Sequence, residues 1–181
     1  NSSKRGTTVP IQNQIMIEAS KIAQINIGLP RKGMDLTALP QAFRRKPNGV
    51  VGGQFSMHFT AAVAAQTGNL TWDDYDQYLT DSTTLELAQR IDVQEDSEMD
   101  AIYPERMGGK VSIRLTDGSL ETRCVEIPKG EPENFPDAKA HRSKFISLAQ
   151  PVIGEQASDL QQKLMAFTAL ESLSELFLEV S

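Results

Sequence analysis

Hydrophobic side chains recur at every second position in the segment 22–29, where the repeating positions are Ala23, Ile25, Ile27 and Leu29. This period predicts a β-strand with one buried face, and Pro30 ends it. A short edge strand is predicted around 91–93 in the same way. The chain therefore contains strands that are separated by long intervening segments.

The segments 110–116 and 119–127 flank Asp117-Gly118, a two-residue turn signal typical of a β-hairpin. That turn predicts three inward pairs and one outward charge pair: Leu115 with Leu120, Ile113 with Thr122, Val111 with Cys124, and Arg114 with Glu121. In this register Cys124 is a packed hydrophobe and not a nucleophile.

Apolar residues at helical spacing predict helices over 71–79, 81–91, 137–148 and 157–167. The last of these carries a stripe of Ala157, Leu160, Leu164 and Phe167. Two shorter helices are predicted near the ends, one with Ile11, Ile15 and Ala19, the other with Leu173, Leu176, Phe177 and Val180. Strands and helices in this order predict an α+β domain, in which a small antiparallel sheet packs with helices and C-terminal helices follow.

The segment 52–68 is apolar around most of a helical cylinder, so it predicts a buried helix of three to four turns. Its polar residues form two i, i+4 pairs, Gln54 with His58 and Ser56 with Thr60. One interpretation is a core helix whose polar groups are satisfied. The other is a helix whose first turn, entered through Gly52-Gly53, faces a carboxylate-bearing ligand.

The segment 30–53 is rich in proline and glycine and predicts a long loop, with at most a turn of helix near 39–43. It carries the densest basic cluster of the chain, Arg44-Arg45-Lys46. These charges either attract an anionic substrate or simply offset an acidic chain.

Composition excludes several classes of function. A net charge of −6 and a pI of about 5.0 argue against a nucleic-acid partner. One cysteine and two histidines make a zinc site improbable, and we expect no metal. No apolar run is long enough to cross a membrane, which predicts a cytoplasmic protein, or a mitochondrial-matrix protein in a eukaryote.

Several segments resemble landmarks of the MmgE/PrpD family, in the same order along the chain. They are Phe55-Ser56 in its Ala-rich helix, Tyr103-Pro104, Lys110-Val111-Ser112-Ile113, Asp117-Gly118, the loop Pro128-Lys129-Gly130-Glu131-Pro132-Glu133-Asn134, and Lys144-Phe145 with Leu148-Ala149. The family includes 2-methylcitrate dehydratase, cis-aconitate decarboxylase and an iminodisuccinate epimerase. Its members combine a large helical domain with a smaller α+β domain that closes over the active site.

The resemblance implies that this chain is the smaller lid domain. It assigns residues 1–20 to an N-terminal segment, 21–150 to the lid, and 151–181 to helices that pack on a helical domain of the same protein. The family's proton-transfer residues lie mainly in that helical domain, so the isolated chain is expected to be inactive. The complete protein is expected to be a homodimer without a cofactor.

The same resemblance implies that the lid contacts a small polycarboxylate. The candidate substrate-binding residues are Gln54, Ser56, His58, Phe59, Arg44 and Arg45, and the candidate catalytic residue is His58. Phe59 replaces a tyrosine that approaches the substrate in related decarboxylases, and Phe135 separates Asn134 from Pro136 where relatives have Asn-Pro.

Three functions remain open at this point. The first is a lyase that dehydrates a polycarboxylate, as 2-methylcitrate dehydratase does. The second is an isomerase or epimerase that uses the same proton abstraction without elimination, which the loss of the hydroxyl at Phe59 favours. The third is a non-catalytic binding or assembly module whose C-terminal apolar stripe docks on a partner chain.

Overall fold

The computed structural model describes residues 17–169 together with residues 172 and 174. The chain divides into two compact units, Asn1–Glu126 and Ile127–Ser181. The two predicted terminal helices, one with Ile11, Ile15 and Ala19 and the other with Leu173, Leu176, Phe177 and Val180, lie outside the described residues, apart from Ala19, which begins a 3₁₀ turn.

The first unit is built on a mixed four-stranded sheet with helices, which confirms the α+β class. Its strands are β1 (Ile22–Leu29), β2 (Ile91–Glu95), β3 (Gly109–Leu115) and β4 (Leu120–Val125). Its helices are α1 (Arg31–Thr37), α2 (Gln41–Arg44), α3 (Val50–Gln54), α4 (Met57–Thr67), α5 (Asp74–Tyr78), α6 (Ser82–Gln89) and α7 (Ser97–Ile102). A turn of 3₁₀ helix, Ala19–Lys21, precedes β1.

The strand order is β2-β1-β3-β4, so β1 lies in the interior of the sheet and β2 at an edge. The pairs β1–β3 and β3–β4 are antiparallel, as predicted, whereas β1 and β2 run parallel. A parallel pair requires a long crossover connection, and α1 to α6 supply it here. The prediction of a purely antiparallel sheet was wrong at this one pair.

The hydrophobic core of this unit lies on one face of β1 and β2. Its buried members include Ile25, Ile27, Ile91 and Val93 from the strands, with Ala62 from α4 and Leu87 from α6. Each fully buried branched side chain contributes about 1.5–3 kcal/mol. Ala23 was predicted to be on the buried face but is exposed, because a bulge between Ile22 and Gln24 shifts the alternation.

The hairpin β3–β4 forms in a register one residue away from the predicted one. Ile113 pairs with Glu121 and Lys110 pairs with Cys124. All residues of β4 are exposed, Cys124 among them, so its predicted inward packing was wrong. The cause lies in the turn, where the Leu115 N–H donates to the Ser119 carbonyl at 2.9 Å and Gly118 has a φ of +89°. A three-residue loop with glycine in the left-handed region therefore replaces the two-residue turn.

The predicted loop 30–53 is largely helical, since it contains α1, α2 and α3. The N-cap residues of α1 and α2 are Pro30 and Pro40, both in extended backbone conformations. Proline lacks an N–H, which a helix start does not use, so these residues begin helices here instead of preventing them.

The second unit contains α8 (Ala138–Ile153) and α9 (Gln156–Met165), followed by a 3₁₀ turn, Phe167–Ala169. The prediction of a helix from residue 137 is confirmed, with the Asp137 side chain capping α8 by accepting from the Ala140 N–H at 2.7 Å. In the predicted stripe of α9, Ala157 is buried whereas Leu164 and Phe167 are exposed. Over the described residues, no helix is long and apolar enough to cross a membrane.

Candidate functional site

The segment predicted as one helix is interrupted at Phe55 and Ser56, which separate α3 from α4. Ser56 has an extended backbone and is the N-cap of α4, where its Oγ accepts from the Phe59 N–H at 3.0 Å. The same hydroxyl donates to the carbonyl of Arg44. Ser56 is fully buried and so joins the end of α2 to the start of α4.

The two glycines before this break lie inside α3 and not at the start of a helix. The Gly53 N–H donates to the Gly49 carbonyl at 2.9 Å, so it is not free to bind an anion. A Cβ at Gly53 would lie 3.1 Å from the Tyr75 ring and 3.3 Å from Phe59. Close packing explains this glycine, and the ligand-facing interpretation of Gly52-Gly53 loses its basis.

Phe59 lies in a second hydrophobic cluster with Val63 of α4 and Tyr75 of α5. Its side chain is fully buried, and its ring centroid is 5.9 Å from that of Tyr75. Phe55, predicted to share a face with Phe59, is 43% exposed because the helix break turns it away. In this chain Phe59 therefore acts through packing.

His58 is also fully buried, and its hydrogen-bond partner is Gln41 of α2 and not the predicted Gln54. The His58 Nε2 lies 3.2 Å from the Gln41 Oε1, which also accepts from the Arg45 Nη2 at 3.1 Å. The Gln41 amide nitrogen donates to the Val93 carbonyl at 2.9 Å. This orientation makes the Gln41 oxygen an acceptor, so His58 carries its proton on Nε2.

The other imidazole nitrogen, Nδ1 of His58, is buried without a hydrogen-bond partner among the described residues. Burial, and after it the charge of the neighbouring Arg45, together lower the pKa of His58 to about 4. The ring is therefore neutral at pH 7. It holds Gln41 and Arg45 in place, and it is not positioned as a solvent-accessible acid.

The two candidate arginines are held by different backbone groups. Arg44 donates to the carbonyls of Leu39 at 3.1 Å and Leu36 at 3.0 Å. Arg45 donates to the carbonyl of Ile91 at 3.1 Å and lies 3.6 Å from an Asp92 carboxylate oxygen. Both are half-buried, so each guanidinium keeps only part of its surface for a ligand.

Gln54 ends α3 and is exposed, with no hydrogen bond from its side chain to the rest of the described chain. The structure thus joins Ser56 to Arg44, and His58 to Arg45 through Gln41, whereas Gln54 stands apart from them. Sequence reasoning missed Gln41. Its i, i+4 spacing from Arg45 was a usable signal, but only after the segment was recognised as helical.

No group of three or more His, Cys, Asp or Glu side chains in the described part of the chain is arranged to hold a metal ion. A family model for the MmgE/PrpD C-terminal domain matches residues 7–169. The chain belongs to the MmgE/PrpD family. A comparison with curated protein sequences gave no match.

Membership places this chain in the C-terminal domain of the MmgE/PrpD family. The match extends into both compact units, so α8 and α9 belong to the family domain as well. The helix break at Ser56 and the hydrogen bonds of Gln41 to His58, Arg45 and the Val93 carbonyl are therefore features of an MmgE/PrpD domain. These contacts join α2, α4 and β2.

The buried His58 predicts a loss of stability in acid. The unfolded chain binds a proton near the ordinary pKa of 6.5, while the folded state binds it only near 4, so stability falls as the pH decreases from 6.5 towards 4. The loss is on the order of 3 kcal/mol over this window. Urea unfolding at pH 7 and pH 4.5 measures it.

The matched control uses the second histidine of the chain, His141, which is exposed on α8. His58→Gln is expected to remove most of the stability loss between pH 7 and 4.5, and His141→Gln to leave it in place. An equal loss in the wild type and in His58→Gln would show that other groups cause the acid sensitivity.

Proposed function

We propose that this MmgE/PrpD domain is the substrate-closing lid of a lyase that acts on a small polycarboxylate, in the manner of a 2-methylcitrate dehydratase. The observation that carries the proposal is the family match over residues 7–169. In the proposed enzyme the domain closes over a helical domain of the same protein, and the complete protein is a cytoplasmic homodimer.

The reaction of such an enzyme removes a proton next to a carboxylate and expels hydroxide from the neighbouring carbon as water. A carbon–carbon double bond forms, and no electron acceptor is required. The step needs a general base and a general acid within hydrogen-bond reach of the substrate. His58, the candidate from the sequence, is buried and neutral, which supports placing these groups in the helical domain.

The lid would then supply carboxylate contacts. Gln54 is exposed at the end of α3, and Arg44 is half-buried at the end of α2, where Ser56 bonds to its backbone carbonyl. Guanidinium groups bind carboxylates through charge-assisted, often bidentate hydrogen bonds. We therefore propose Gln54 and Arg44 as direct substrate contacts, with Arg45 contributing charge, and Ser56 and His58 as positioning residues.

The experiment measures kcat and KM on 2-methylcitrate and citrate in the protein that joins this domain to its helical domain. Gln54→Ala and Arg44→Lys are each expected to raise KM about tenfold, the loss of roughly one charge-assisted hydrogen bond. Arg123→Lys, at an exposed position on β4, is the matched control and should not change KM. Unchanged KM in both test variants would contradict the assignment of these contacts.

A second candidate function is an isomerase or epimerase that uses the same proton abstraction. The sequence motivates it at Phe59, which has no hydroxyl where the resemblance implies a tyrosine in related decarboxylases, although the buried Phe59 ring acts through packing in this chain. Product analysis separates the two functions, because an epimerase forms no unsaturated product.

A further inference from the structure

A second group of basic side chains lies beside the start of β1 and β2. There an open depression of about 320 Å³ is lined by Ala23, Gln24, Arg45, Gln89, Arg90, Ile91 and Asp92. Its size is at the lower end of the range for small-molecule sites. It shares Arg45 with the proposed polycarboxylate site, whereas the proposed direct contacts Gln54 and Arg44 do not line it.

The shape of the depression follows from the backbone around it. The bulge between Ile22 and Gln24 interrupts the pairing of β1 with β3 and leaves Ala23 exposed. On the other side, Arg90 connects α6 directly to β2, and its carbonyl accepts from the Ile25 N–H at 3.0 Å. The Arg90 guanidinium then turns back and donates through Nη1 to the Ile22 carbonyl.

Arg90 is therefore anchored at both its backbone and its side chain, yet it has no acidic partner within 4 Å among the described residues. A guanidinium carries five N–H donors, and only Nη1 of Arg90 has a hydrogen-bond partner in the described part of the chain. The remaining donors of this half-buried guanidinium are not among the buried unpaired atoms of the described residues, so they are accessible to a ligand from solvent.

Arg45 adds a second guanidinium, already fixed by Gln41 and the Ile91 carbonyl. Asp92 is the one carboxylate in the lining, at 3.6 Å from the Arg45 Nη2, so the depression has a formal charge of +1. The side chains of Gln24 and Gln89 provide further amide donors at the same rim.

We propose that this depression binds a small anion through Arg90 and Arg45. The ligand class is a compact molecule with a carboxylate or a phosphate group, because the planar guanidinium fork matches both geometries. Because both arginine side chains are already held in place, they lose little conformational entropy when the anion binds. They are therefore expected to bind an anion more tightly than exposed arginines that are not anchored.

The test titrates the ¹⁵N-labelled chain with inorganic phosphate and, separately, with succinate, at constant ionic strength. Heteronuclear NMR is expected to show saturable shifts of the Ala23, Gln24 and Arg90 amides and of the Arg90 Nε–H. Saturation by phosphate alone, by succinate alone or by both supports the site and identifies which group it accepts.

Two variants make the assignment specific. Arg90→Lys is expected to weaken binding at least about tenfold, because lysine cannot offer a bidentate fork. Ala23→Glu places a carboxylate in the depression without removing any arginine contact and is expected to abolish the saturable shifts. Arg123→Lys is the control and should bind as the wild type does.

Absence of saturable shifts with both anions overturns the proposal, as does equal binding by the wild type, Arg90→Lys and Ala23→Glu. Neither Arg90 nor Ala23 is a proposed contact of the polycarboxylate. A failure here therefore leaves the lyase proposal in place, and a failure of the lyase assay leaves this one in place.

Discussion

Phe59→Ala is expected to lower the free energy of unfolding by about 3–5 kcal/mol. The side chain is fully buried, and its ring packs between Tyr75 and Val63 in a cluster separate from the sheet core. Alanine would leave a cavity that the surrounding helices α4 and α5 fill only in part. Urea denaturation at pH 7 measures the change.

Two further substitutions at Phe59 separate packing from chemistry. Phe59→Leu keeps most of the volume and is expected to cost less than half as much as Phe59→Ala. Phe59→Tyr restores the tyrosine of related decarboxylases, but in this chain it buries a hydroxyl and is expected to cost about 1–3 kcal/mol. A stabilised Phe59→Tyr variant with new decarboxylase activity would contradict the packing role.

Ser56→Ala is expected to destabilise the domain by about 2 kcal/mol, because it removes the N-cap of α4 and the hydrogen bond to the Arg44 carbonyl together. Ser56 and Phe59 are fully buried and Arg44 is half-buried, and alanine offers no replacement for the hydroxyl. In the complete enzyme the same variant is expected to raise KM, since Ser56 fixes the position of Arg44.

The control for Ser56 is Ser147→Ala, which changes an exposed serine inside α8. It should alter stability by less than about 0.5 kcal/mol. If Ser56→Ala behaved like Ser147→Ala, the joint between α2 and α4 would not contribute to stability. Thermal unfolding followed by circular dichroism is sufficient for this comparison.

The elements that were predicted correctly from the sequence are those whose hydrophobic pattern reflects one buried face. The strand Ile22–Leu29 has the predicted bounds, and β2 is the predicted edge strand, because alternation or a short apolar run specifies a half-buried strand directly. The parallel pairing of β1 with β2 was not predictable from the sequence of either strand. It depends on the path of the helices between the two strands, which sets the direction of β2.

Errors arose where a local signal has two structural meanings. Pro30 and Pro40 were interpreted as loop residues, but each begins a helix. Asp117-Gly118 fits a two-residue turn and also the three-residue loop that forms, and the difference shifted the pairing of β3 with β4 by one residue. A one-residue change of register reverses every side chain of β4.

The candidate site was predicted in part for the same reason. Ser56 and His58 do lie at the start of a buried helix, as expected from the apolar surroundings. Their partners were not predicted, because the i, i+4 pairing of Gln54 with His58 assumed a continuous helix. The break at Ser56 gives His58 a partner on another element, Gln41, which only the tertiary structure brings near.

The central claim, that this chain is the lid of a polycarboxylate lyase, is tested most directly by product analysis. Proton NMR would follow citrate, 2-methylcitrate and cis-aconitate with the complete protein and, in parallel, with the 181-residue chain alone. We expect new vinylic signals from a hydroxy acid with the complete protein, and a rate lower by a factor of about 10³ or more with the chain alone, because the proposal places the general acid and base in the helical domain. Inversion of a stereocentre without a vinylic product, silence with all three acids, or equal turnover by the isolated chain would contradict the claim.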